Sequence, residues 1–222
     1  VKTGTARQEL PGANTFSGAV QVNQGWLAVG DTNSPLANVS GITIADGATL
    51  GSSGQQTFVS TTPVVIDVPI NLAGGTGTIA ACIYPLAAGA TSAQLPLSLR
   101  GGISGNASVV FKGVNVFNWM GTIQVANCTY TGSTLITCGN DLLSDGTAAA
   151  SQTNNQNICV RLLGDNALPT TTVVTMDGGD GVGSGRYCDL FLAGKDQTLA
   201  GLTNIARNLR NQRVVNADTS AA

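Results

Sequence analysis

The sequence predicts an all-β protein, an antiparallel β-sandwich or jelly-roll-like fold carrying one C-terminal α-helix. Three observations predict it. Apolar residues recur at every second position through much of the chain, which places them on one face of a strand. Glycine-rich breaks separate these stretches at intervals of about eight to twelve residues, the rhythm of sandwiches and barrels. Helical spacing is confined to the end, where Leu199, Leu202, Ile205 and Leu209 fall on one face behind Asp196, a suitable N-cap.

In order, residues 1–15 are polar and broken at Pro11-Gly12, and they read as an extended arm that docks on a neighbouring subunit. A β domain follows over 16–195, and a helix with a fraying tail over 196–222. Short strands are expected over 16–23 and 26–29. Another covers 41–45, with a turn at Asp46-Gly47. The clearest strand is 63–72, where Val64, Ile66, Val68, Ile70 and Leu72 alternate with more polar residues. Pro69 cannot donate a ladder hydrogen bond, so this strand is expected at a sheet edge. Its apolar residues then become candidates for contact with another subunit. The run 78–86 is nearly continuous in apolar character, and 95–99 alternates again, with Pro96 facing out. Further strands are expected over 108–111, 114–119, 122–126, 135–138, 158–163, 171–176 and 187–193. The polar stretch 141–157 reads as the longest loop.

Composition bounds the surface and the partners. Charged residues make up 10% of 222 residues, and the net charge is −2. Such a chain has no field with which to recruit nucleic acid or an anionic membrane, and a weakly charged surface favours association. No stretch approaches the roughly 20 apolar residues of a spanning helix. The first residue is Val1 rather than Met, which reads as a processed N-terminus of a secreted chain. Of the five cysteines, Cys128 and Cys138 flank a turn-like spacer and are candidates for one disulfide. Cys159 and Cys188 are candidates for a second, in an oxidising compartment.

Catalysis finds little support. The chain has no histidine and one glutamate, Glu9, which excludes Ser-His-Asp and Cys-His machinery. Most aspartates fall at turns, where Asp bonds its own backbone. The glycine-rich stretch 176–186 reads first as a turn between strands. Its Asp177 and Asp180 are candidate ligands for a hard cation such as calcium, the one cofactor with any signal. Asn38, Asn106 and Asn127 head Asn-x-Ser/Thr sequons and are candidate glycan acceptors. Arg207, Arg210 and Arg213 crowd the end of the expected helix. They suit its dipole and read first as a solvated helix end, with contact to a second subunit or to phosphates as the alternatives.

The Thr/Ala/Gly/Asn/Val-rich, weakly charged composition is similar to that of pilins and surface-fibre subunits. It implies a non-enzymatic structural subunit of an extracellular filament or surface layer, whose partners are copies of itself. Two other readings compete. A viral coat protein of jelly-roll type would ordinarily carry a basic arm, and Lys2 with Arg7 makes a poor one. A secreted glycan- or surface-binding module would display aromatics on one face, and this chain has ten in all: two Trp, three Tyr and five Phe.

Overall fold

A computed structural model describes residues 1–30, 35–52, 63–82, 96–114, 120–138, 157–178, 187–205 and 211–217. The strands, in chain order, are β1 (Arg7–Pro11), β2 (Gly18–Val22), β3 (Trp26–Gly30), β4 (Val39–Ile44), β5 (Thr49–Ser52), β6 (Val64–Ile66), β7 (Ile70–Leu72), β8 (Thr76–Cys82) and β9 (Leu97–Leu99). They continue as β10 (Ile103–Gly105), β11 (Ser108–Val114), β12 (Met120–Val125), β13 (Thr134–Thr137), β14 (Asn157–Leu162), β15 (Val173–Asp177), β16 (Tyr187–Phe191), β17 (Gly201–Ile205) and β18 (Asn211–Val215).

These strands form three sheets, ordered β10-β7-β4-β2, β1-β3-β5-β8-β11-β13-β15-β17 and β18-β16-β14-β12-β9-β6. Every pairing is parallel. From β4 to β12 the chain visits the four-, eight- and six-stranded sheets in turn, then returns one strand further along. This is a three-sided parallel β-helix, a solenoid in which each coil stacks on the one before. It replaces the expected antiparallel sandwich. Turns such as Asp46-Gly47 do not reverse the chain into a hairpin. They bend it from one sheet to the next, so the strand that returns to a sheet runs the same way. Asp46 also links coils, because its Oδ1 accepts a hydrogen bond from the Thr76 amide at 2.8 Å. Gly75 sits opposite at φ 59°, where an added Cβ would collide with the Asp46 carboxylate.

The expected strand over 63–72 is two strands on two sheets. β6 ends the six-stranded sheet, while β7 lies inside the four-stranded one between β10 and β4. Pro69 occupies the corner, where its missing N–H costs no ladder bond and its carbonyl accepts from the Ile42 amide at 2.9 Å. Val64, Ile66, Ile70 and Leu72 are each no more than 2% exposed and belong to the interior, with Val68 packed against it. They are core rather than a free contact face for another subunit.

The interior is a set of ladders along the column. On the eight-stranded sheet Leu27, Leu50, Ile79, Phe111, Ile136 and Met176 stack in register, with Gln8 at one end and Asn204 at the other. On the six-stranded sheet Val64, Leu97, Ile123, Val160 and Leu190 stack in the same way. Successive side chains of a strand point to opposite faces, so one set turns inward and parallel register stacks each on its counterpart in the next coil, which is why these positions read as plain apolar alternation.

No helix occurs among the described residues, so none there is long and apolar enough to cross a membrane. The helix expected at the C-terminus is replaced by β17, paired with β15, and β18, paired with β16. An isolated helix of that length is marginal in water. Unpaired edges of β15 and β16 instead offer a full row of backbone partners. Residues 7–11 likewise extend their own sheet as β1, beside β3.

Candidate functional site

The outward face of the six-stranded sheet carries a group of polar, charged and aromatic side chains in contact with one another. Alternation in β14, β16 and β18 turns Ile158, Val160, Cys188 and Leu190 inward and leaves Cys159, Arg161, Tyr187, Asp189, Phe191 and Arg213 outside. Register places Cys159 beside Asp189 and Asp189 beside Arg213. Arg213 grips Asp189 with both arms, Nε to Oδ1 at 2.9 Å and Nη2 to Oδ2 at 2.6 Å. The Asp189 side chain is 5% exposed and that of Arg213 45%. Arg213 also lies over the Tyr187 ring at 4.3 Å, and Arg161 over Phe191 at 5.3 Å.

These contacts clamp the outward side chains of three neighbouring strands together. Burial, reinforced by the Asp189 charge, pushes the Cys159 thiol up to about 12, so it stays protonated and is a poor nucleophile. The hydrogen bond to Asp189 is the main cause that raises Arg213 and fixes its charge. The carboxylate is committed to a two-armed ion pair. A second outward cluster stands on the eight-stranded sheet, where Arg7 covers the Trp26 ring at 4.7 Å and pairs with Glu9. At the start of the column a cavity of about 520 Å³ opens between Lys2, Leu10, Phe16, Val20 and Leu27.

The residues singled out by sequence are dispersed. Arg213 is in β18 and joins the clamp instead of ending a helix. Arg207, Arg210 and Asp180 lie outside the described residues, as does most of the expected loop over 141–157. Asp177 ends β15 and is buried. Among the described residues no group of three or more His, Cys, Asp or Glu side chains is placed to hold a metal. Asn38, Asn106 and Asn127 are all exposed, at corners or next to strand ends. Cys128, Cys138, Cys159 and Cys188 are buried free thiols. Neither expected disulfide is formed among them. Cys128 Sγ points back to the Ala126 carbonyl at 3.7 Å, while Cys138 Sγ donates to the Tyr187 carbonyl at 3.1 Å. Cys159 and Cys188 sit on adjacent strands but face opposite sides of the sheet.

Sequence reasoning missed the Asp189–Arg213–Tyr187 group. Its signal is present, since Tyr187, Asp189 and Phe191 alternate with Cys188 and Leu190. What the sequence lacked was the register that brings Arg213 alongside.

A family model described as Passenger-associated-transport-repeat matches residues 1–29. That span covers β1, β2 and nearly all of β3, the beginning of the column. No curated protein and no solved structure matches the chain.

Proposed function

We propose that this chain is a non-enzymatic structural segment of an extracellular, autotransporter-type passenger, a stiff β-helical stalk at the cell surface. The observation that carries the reading is the unbroken eight-strand parallel ladder from β1 to β17, begun by residues that match the passenger-associated repeat. Seven spacings of about 4.8 Å make that ladder roughly 34 Å long. Support also comes from the outward groups, which are tied to one another in ion pairs and cation–π contacts. Association between copies is a second reading, favoured by the exposure of Leu202 and Val214 on the last strands.

The test is display. The full chain is fused ahead of an outer-membrane translocator barrel and probed on intact cells. The expected result is an antibody-accessible chain without hydrolytic activity on peptide, ester or glycoside reporters. A chain retained inside the cell, or an activity abolished by Asp189→Asn, overturns the reading. Sedimentation of the purified chain at rising concentration tests association between copies, and a constant monomer mass eliminates it.

A further inference from the structure

Cys138 and Cys188 are far apart in sequence, yet they meet inside the column. Cys138 directly follows β13 on the eight-stranded sheet, and Cys188 is the second residue of β16 on the six-stranded sheet, one coil later. Each thiol reaches the other's strand: Cys138 Sγ donates to the carbonyl of Tyr187 at 3.1 Å, and Cys188 Sγ donates to that of Ile136 at 3.2 Å. Both are fully buried, and β13 and β16 are in contact. A cysteine serving as a small apolar filler needs no sulfur partner. Here two sulfurs share one corner, each anchored beside the other's backbone.

We propose that Cys138 and Cys188 are a disulfide site that staples two successive coils when the chain folds in oxidising surroundings. The reaction is exchange with a small-molecule disulfide, which is the oxidant. One cysteine thiolate attacks it, forms a mixed disulfide and releases one small thiol. The second cysteine thiolate then attacks the protein sulfur of that intermediate, closes the S–S bond and expels the second small thiol. Two protein thiols are oxidised by two electrons, and one external disulfide is reduced to two thiols that take up the two protons. In the folded column the neighbouring Cys138 side chain, and then burial, hold the Cys188 thiol in its neutral form. Closure therefore belongs to folding, before the corner is sealed, and exchange in the finished column is slow.

The full chain, refolded in mixed reduced and oxidised glutathione, then alkylated and digested without reductant, tests this. The expected product is a Cys138–Cys188 linked peptide, with Cys128 and Cys159 alkylated. Adding the same glutathione mixture to the already folded, reduced chain should form the link at least about tenfold more slowly. Recovery of Cys138 and Cys188 as alkylated thiols, or linked to other cysteines, overturns the site. Equal rates in the two conditions overturn closure during folding. A variant carrying Cys82→Ala, Cys128→Ala and Cys159→Ala keeps the pair intact. It must form the same link, and Cys188→Ser must abolish it.

Discussion

One side of the column is built in two ways. From β2 to β10 it is a four-stranded sheet, in which Val20, Ile42, Ile70 and Ile103 stack through backbone ladders. Beyond Gly105 the same side is completed without strands by residues 126–133, 163–172 and 192–200. Backbone bonds persist there in part, as from the Thr129 amide to the Ile103 carbonyl at 2.7 Å and from the Cys128 amide to the Ala167 carbonyl at 2.9 Å. Side chains supply much of the rest. Gln197 bridges to Leu168 in both directions, accepting from its amide at 3.0 Å and donating to its carbonyl at 3.1 Å. Asn166 accepts from the Thr198 amide, and Asp165 from that of Asp196. Inside, Tyr130, Thr134 and Thr172 form a buried hydroxyl chain ending on the Gly132 carbonyl. A backbone ladder accepts any outward residue that suits a strand. A side-chain ladder depends on particular residues, so stability rests on apolar volume in the first region and on named polar atoms in the second.

The largest expected effect lies in the first region. Ile70→Ala should cost about 3 kcal/mol in urea unfolding, because Ile70 is 1% exposed and packed between coils that hold their spacing. A cost below that of the polar substitution described last would invert the comparison.

The next effect is alkaline sensitivity of the second region. Burial lifts the Cys128 thiol from its ordinary value of 9.0 to about 12. A thiol raised on folding leaves the folded state holding a proton that the unfolded state has released. Stability is therefore complete below about pH 9 and declines towards about pH 12. At about pH 10.5 the loss from this one group should approach 2 kcal/mol. Comparing unfolding midpoints at neutral pH and about pH 10.5, in the parent chain and in Cys128→Ala, checks it. An equal decline in both removes Cys128 as the cause.

The smallest effect sharpens the contrast. Gln197→Ala removes both bridging bonds to Leu168 and should cost about 1 kcal/mol. Amide hydrogen exchange should then rise at Leu168, while β4 and β7 keep their protection. Faster exchange in those strands would show the two regions to be a single cooperative unit.

Much of the strand content was legible because alternation survives the corners. Val64, Ile66, Ile70 and Leu72 keep one phase through the bend at Pro69, so the inward residues were identified and the bend was not. Parallel pairing was hidden because period two is common to both orientations, and each partner strand lies a full coil away. The repeat was hidden by unequal coils: strands of the eight-stranded sheet begin at Arg7, Trp26, Thr49, Thr76, Ser108, Thr134, Val173 and Gly201, with no fixed step. The expected helix arose from Leu199, Leu202 and Ile205, whose threefold spacing was outweighed by the open edge of β15. The clamp needed register, which alternation alone does not supply.

The direction of the ladders has a mechanical consequence. Their hydrogen bonds run along the column, so a pull on its two ends loads them in tension rather than in shear. Such a ladder gives way one coil at a time, each rupture handing the load to the next, as a zipper opens. Stretched singly, the chain should therefore yield a train of modest force peaks instead of one high barrier. A Cys138–Cys188 link would lock the slack between two neighbouring coils and shorten the released length at that step.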